Sequence, residues 1–356
     1  RRQRQMCIRD SSLMERWRRG IHAEIDLATR VLADSEPRPI KTIFVGGGTP
    51  SLVPASWLVD FVDHLEDAFG IGAGAEITTE ANPESTVPSW LDELHRGGFT
   101  RLSLGMQSTS TKVLQLLERR HTPGRPADVV AAARAIGFTD ISLDLIMGTP
   151  GESAEDFATS VEDALAAGLE HLSIYSLIVE EGTRLAAKVR RGEIPPPNED
   201  DHADKYLVAE QLVTAAGLEN YEVSNWSRGR THRSRHNLAY WRSQDWWGLG
   251  PGAHSHVDGV RWWNLKHPRR WCEALERGNS PGAGREVLTD QQRHEERVLL
   301  ELRTSDGLPL TELRPEERQR LDPWCETGHV VTREGAAKLT LQGRLLADRI
   351  ILDLLA

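Results

Sequence analysis

The chain has 356 residues, 39% of them hydrophobic, enough to bury the core of one large α/β domain and a smaller one. A formal net charge of −10 gives no general electrostatic case for nucleic acid as a partner. No apolar run approaches the roughly 18 residues of a membrane span, and the arginine-rich start lacks the apolar stretch of a secretory signal, so a cytoplasmic protein is expected.

Residues 1–12 have no apolar period, and the string Met6–Ser11 resembles translated sequencing-adapter sequence. They are expected to be foreign to the fold, with the natural chain beginning upstream. Leu13, Trp17, Ile21, Ile25, Ala28 and Leu32 then recur every three or four residues, which predicts an amphipathic helix ended near Pro37 and Pro39. Lys41–Val45 reads as a buried strand halted by Gly46, Gly47 and Gly48, and Leu58–Phe69 as the next helix. The alternation repeats. Strands are predicted at Glu76–Glu80, Arg101–Met106, Ile141–Ile146 and Leu172–Leu177, with helices near 88–96, 126–136 and 154–167. Regular β-then-α units predict a parallel sheet or barrel. A proline run at 195–197 leads into a helix over 201–217 with Tyr206, Leu207, Leu212 and Val213 inward. Residues 277–285 read as a linker. The remainder, 288–356, reads as a small helical module of winged-helix proportions: a helix near 290–303, a charged turn-rich stretch, and a last amphipathic helix from about 340.

Polar residues gather at one end of these strands. Gly46–Ser51 follows the first, Glu80 ends the second, Gln107 ends the third, Asp144 lies late in the fourth, and Tyr175 and Ser176 late in the fifth. In β/α barrels the active site is built on the C-terminal rim, and five strands presenting polar groups there imply one site. The glycine run allows close backbone approach to a ligand, but no Gly-Lys-Ser/Thr follows, so it is not a P-loop. The three cysteines, Cys7, Cys272 and Cys325, are too few and too scattered for a disulfide framework or a metal knuckle. Of eleven tryptophans, Trp241, Trp246, Trp247, Trp262, Trp263 and Trp271 crowd into one stretch, which is either core filling or an aromatic-lined site for a large flat ligand.

The ordered set GGGTPS, TEANP, GMQS, Arg119 and LDLIMGTPGES resembles the radical-SAM proteins of the coproporphyrinogen-oxidase-like group over nearly all of residues 13–356. The resemblance implies a partial radical-SAM (β/α) barrel lacking its first strand at 13–280, with a small, mostly helical, winged-helix-like C-terminal domain at 286–356. It also implies that Gly47, Gly48 and Thr49 cradle the methionyl end of S-adenosylmethionine, while Glu80, Gln107, Arg119 and Asp144 hold its amino acid and ribose groups. Arg120 is an alternative to Arg119. Carboxylates accept bonds from ammonium or hydroxyl groups, and arginine can clamp a carboxylate. The family carries a Cys-x3-Cys-x2-Cys loop for a [4Fe–4S] cluster before the first helix. This chain has no such loop, so it is expected not to assemble that cluster, and Thr42–Val45 is expected at an open sheet edge.

His236-Asn237-Leu238-Ala239-Tyr240-Trp241 matches the haem-binding motif of HemW-type haem chaperones. By that resemblance His236 ligates haem iron, and Asn237, Tyr240 and Trp241 shape the site; His254, in the following glycine-rich segment, is a second candidate. The resemblance implies binding of haem and its transfer to an acceptor such as a membrane haemoprotein, with the cluster and S-adenosylmethionine regulating assembly or release, and it is compatible with a homodimer. The rivals are an oxygen-independent coproporphyrinogen III oxidase, and an assembly protein that binds no haem and uses the tryptophan-rich surface as an interface.

Overall fold

The computed structural model describes residues 11–35, 38–119 and 122–356. Most of the segment expected to be foreign, together with Cys7, Pro37 and Arg120, lies outside them. In chain order the first half runs α1 (Ser11–Val31), β1 (Ile40–Val45), α2 (Ala55–Phe69), β2 (Ile71–Ala81), α3 (Pro88–Arg96), β3 (Arg101–Gln107), α4 (Thr111–Leu116), α5 (Arg125–Ile136), β4 (Asp140–Met147), α6 (Ala154–Ala166) and β5 (His171–Ser176). It continues with α7 (Arg184–Arg190), α8 (Glu199–Ala215), β6 (Glu219–Glu222), β7 (Asn225–Ser227), α9 (Arg235–Trp241), β8 (His254–Val257), β9 (Val260–Asn264), α10 (Pro268–Glu276), β10 (Gly282–Val287) and α11 (Asp290–Glu301). The chain ends with β11 (Leu308–Pro309), α12 (Pro315–Glu326), β12 (Val330–Arg333), β13 (Ala336–Leu339), α13 (Leu341–Leu345) and α14 (Ala347–Leu355).

The predicted β-then-α alternation is present. The main sheet has the order β1-β2-β3-β4-β5-β7-β6, with β2 to β5 paired in parallel and β7 and β6 added antiparallel. The fold is therefore α/β with an open, partial-barrel sheet, and β1 stands at its edge as expected. Local chemistry starts the helices. Ser153 and Asp156 form a capping box at α6, and the Asn198 side chain accepts from the amides of Asp200 and Asp201 at α8.

Residue contacts divide the chain into two units that are discontinuous in sequence. One comprises Phe44–Leu52, Ile77–Ser234 and Leu302–Ala356. Its core is made by the strand interiors, among them Leu102, Leu104, Ile141, Leu143, Leu145, Leu172 and Ile174, all at or near zero exposure. Within it the Arg344 guanidinium donates to Glu210 and to the Tyr206 hydroxyl of α8. The other unit comprises the described residues up to Ile43, Val53–Glu76 and Arg235–Glu301. There α1 buries the predicted stripe of Leu13, Ile21, Ile25 and Ala28. Gly20 is required for this packing, because a Cβ at that position would lie 2.4 Å from a ring carbon of Trp271.

Three expectations are corrected. The inward face of α8 is Lys205, Ala209 and Val213 rather than Tyr206, Leu207 and Leu212, which are only partly covered. The linker at 277–285 runs into β10, whose pairing with β9 extends the β8–β9 hairpin to three strands. The C-terminal region carries an antiparallel sheet, β11-β13-β12, and a further helix, α12, where only turns were expected. Pro323 and the density of charge in α12 disguise its period. Of the two readings of the tryptophan cluster, Trp271 follows core filling, being wholly buried in the α1 contact.

Candidate functional site

The polar strand ends of the first unit converge. The amide of Gly47 donates to Glu80 Oε2 at 3.0 Å. Gly46 lets β1 approach Glu80, since a Cβ there would meet the carboxyl carbon at 3.0 Å and Phe44 at 2.6 Å. Gly47 has φ +105, a conformation that favours glycine, and space is open around both Gly47 and Gly48. Thr49 and Ser51 shape the loop. The Thr49 carbonyl accepts from the Leu52 amide, and the buried Ser51 hydroxyl pairs with Ser85 Oγ and accepts from the Asn82 amide. The GGGTPS and TEANP segments are thus joined directly.

Glu80 lies close enough to Asp144 for its charge to raise the proton affinity of Asp144. Burial is the main cause of the upward shift of Glu80, opposed by the Gly47 amide and by the charge of Arg119. Asp144 is pushed up to about 7, first by burial of its carboxyl group and then by the charge of Glu80. Serine hydroxyls oppose this: Ser103 Oγ lies 2.9 Å from both carboxylate oxygens, Ser142 Oγ 3.4 Å from Oδ1, and Ser173 also bonds the carboxylate. Gln107, at the end of β3, has φ 71, an unfavourable region for a residue with a Cβ, and its side chain folds over Gly105 at a β-bulge against β4. Gly47, Glu80, Arg119 and Asp144 are therefore brought together, with Gln107 on the adjoining strand end.

Sequence reading missed the support beneath Asp144. Ser142 Oγ is 2.8 Å from Nδ1 of the fully buried His171, whose Nε2 is 2.8 Å from the Tyr221 hydroxyl; that oxygen accepts from the Ser234 amide. Burial holds His171 well below the ordinary histidine range, so it is neutral. The register places Ser103 opposite Ser142 and Ser142 opposite His171. The alternating polar residues in these otherwise apolar strands were the available signal. Tyr175, expected at the rim, is driven upward in proton affinity by burial of its hydroxyl and by the charge of Asp144.

The second unit holds the histidine motif. His236 and Tyr240 lie one turn apart on α9, rings 4.9 Å apart and nearly perpendicular. His236 Nε2 is 3.0 Å from the Tyr240 hydroxyl, and Nδ1 is 2.9 Å from Thr42 Oγ1 on β1. Burial pushes His236 down to about 4, partly opposed by Glu76, so the imidazole is neutral at pH 7. Glu76, almost fully buried, accepts from the backbone amides of Arg235 at 2.8 Å and His236 at 3.1 Å, which fixes the start of α9. Tyr240 continues into Trp246 and Trp246 into His256 through ring contacts of 4.9 and 5.0 Å. Asn237 and Trp241 are half-buried on the same helix. His254 is exposed and stacks on Trp263 on the neighbouring hairpin.

These donor sets differ in what they can hold. A neutral, half-buried imidazole among aromatic rings suits a haem iron. The carboxylates at the strand ends, raised chiefly by burial, suit a ligand with ammonium and hydroxyl groups. Among the described residues a [4Fe–4S] cluster finds no ligand set. Among the described residues no three histidine, cysteine or acidic side chains converge as a metal site, and Cys272 and Cys325 stand on separate helices.

The Radical SAM superfamily profile matches residues 5–164. The chain is 45% identical over 341 residues to the heme chaperone HemW of Mycobacterium tuberculosis, covering 96% of this chain and 86% of that protein. It is 30% identical to the heme chaperone HemW of Bacillus subtilis, covering 87% and 84%. The solved structure of coproporphyrinogen III oxidase (HemN) from Escherichia coli shares the fold, with a TM-score of 0.82 over 97% of this chain and 84% of that one at 21% identity. By the extent of its likeness to these relatives, the chain belongs to the HemW family of the radical SAM superfamily.

Proposed function

We propose that the protein binds haem at His236 and passes it to an acceptor protein. The observation that carries this reading is the neutral His236 imidazole, held between Thr42 and Tyr240 on a helix whose start is fixed by Glu76. Haem, when bound, supplies an iron centre that accepts an imidazole nitrogen. His236 would hold it, with Asn237, Tyr240 and Trp241 shaping the surround and His254 the next candidate ligand. The name of its relatives, heme chaperone HemW, supports the same reading.

S-adenosylmethionine is assigned to the strand ends, with Gly47, Gly48 and Thr49 at its methionyl end and Glu80, Gln107, Arg119 and Asp144 on its polar groups. The unbalanced carboxylates support this placement. A [4Fe–4S] cluster is what membership of the radical SAM superfamily implies, and among the described residues no side-chain set fits it. Residues 13–280 are read as the partial barrel with the haem motif, 286–356 as the C-terminal domain, and 1–12 as foreign sequence. The setting proposed is the cytoplasm, with an acceptor that can be membrane-bound and a possible homodimer. Among the described residues no helix is long and apolar enough to cross a membrane.

Hand-over is tested by mixing the haem-loaded protein with increasing concentrations of an apo-haemoprotein. A transfer rate that rises with acceptor concentration supports direct passage. A rate independent of acceptor, equal to that of spontaneous haem loss, contradicts it.

A further inference from the structure

Both ring nitrogens of His236 already have hydroxyl partners, and the two partners differ in kind. Thr42 Oγ1, 2.9 Å from Nδ1, sits on β1. Tyr240 Oη, 3.0 Å from Nε2, sits one turn along the same helix, and Tyr240 is 39% exposed. A neutral imidazole carries one N–H. If that proton is on Nδ1, it is donated to Thr42, and Nε2 accepts the Tyr240 hydroxyl. The opposite tautomer reverses both bonds and leaves no lone pair at Nε2. Only the first arrangement can release a nitrogen lone pair to a metal at the exposed end of the ring, and it does so when a single exposed hydroxyl turns away.

We infer that Thr42 is a positioning residue that fixes the Nδ1–H tautomer of His236, and that the Tyr240 hydroxyl is a cap on Nε2 which haem must displace. The inference rests on the haem reading above. It is independent of α9 itself, because Glu76 fixes the start of that helix through backbone amides and Arg235 donates to the Gly74 carbonyl at 2.7 Å. The remaining ring nitrogen of a metal-bound histidine normally donates to an acceptor, and that bond sets ring orientation and ligand basicity. Here the acceptor is a hydroxyl presented by a different element, so its removal leaves the helix intact.

The test uses the full chain and haem, with Thr42→Val, Thr42→Ser and Tyr240→Phe. Thr42→Val keeps the β-branched shape and deletes the acceptor. It should weaken haem binding by about tenfold and lower the iron–histidine stretching frequency of the ferrous complex in resonance Raman spectra; Thr42→Ser should restore both. Tyr240→Phe keeps the ring and deletes the cap. It should speed haem association by about fivefold, the worth of one ordinary hydrogen bond, and leave the stretching frequency unchanged. Wild-type binding with both the frequency and the affinity unmoved in Thr42→Val would overturn the tautomer assignment. An unchanged or slower association in Tyr240→Phe would overturn the cap. A folded wild-type chain that takes up no haem would remove the underlying haem reading, an outcome distinct from either.

Discussion

Around Asp144, buried carboxylates outweigh the positive charge that faces them. Around His236, both ring nitrogens are bonded within the protein. In the first region the charge of Glu80 acts on Asp144, with Ser103, Ser142 and Ser173 opposing the shift of Asp144 and Arg119 opposing that of Glu80. The second has a neutral ring between two hydroxyls, reinforced by aromatic contacts. Both satisfy the general rule that buried polar groups find partners, but at different electrostatic expense. A ligand of the first region relieves an existing imbalance. A ligand of the second must displace a bond already made. The comparison accounts for two kinds of pH and mutational response in one chain.

The largest effect expected is at Glu76. Glu76→Ala removes the acceptor for two amides at the start of α9 and leaves them without that partner in a buried place, which should cost roughly 3 kcal/mol and abolish haem binding. Urea unfolding and a visible-absorbance titration read the two consequences. A variant as stable as the parent would show that α9 holds itself in place.

Next in size is Asp144→Asn. The folded-state value of about 7 lies above the ordinary 3.8, so the protonated form is favoured by folding. That contribution is complete below the unfolded value and is lost as pH rises through about 7. Replacing the charge should therefore stabilise the protein at pH 8 by about 2 kcal/mol, allowing for partial solvation, and should bring little gain at pH 4. Thermal melts at the two pH values give the sign directly. A destabilised variant at pH 8 would mean that the carboxylate is already compensated.

A smaller change is expected at Glu80. Glu80→Gln keeps the shape and an acceptor for the Gly47 amide but removes a charge, and should weaken S-adenosylmethionine binding by about tenfold, read by equilibrium dialysis. Unchanged binding would move the ligand away from this carboxylate. Smallest is Tyr240→Phe, which should alter stability by less than about 1 kcal/mol because the hydroxyl it deletes is partly exposed. A larger loss would mean that the Tyr240 hydroxyl supports the fold as well as the ring of His236.

Much of this was legible beforehand for a physical reason. The apolar period of α1 and the alternation of β1 to β5 follow from burial, which leaves a direct mark on sequence. Glu80 and Gln107 stood out because each ends a predicted strand, in TEANP and GMQS. Thr42, Glu76 and His171 did not, because each acts through a partner far away in the chain: Thr42 bonds His236, Glu76 bonds the amides at 235 and 236, and His171 joins Ser142 to Tyr221. The β8–β9–β10 sheet was obscured by its tryptophans, which satisfy a strand and a ligand-lining surface equally well. Its Asp258-Gly259 turn, with positive φ at both residues, was the overlooked hairpin signal.

The most direct test of the account is a haem titration followed by visible absorbance on this chain and on His236→Ala, with circular dichroism confirming that both are folded. Saturable one-to-one binding with a Soret shift is expected in the parent, and loss of that shift in the variant. An identical shift and affinity in folded His236→Ala would contradict it and place the iron elsewhere.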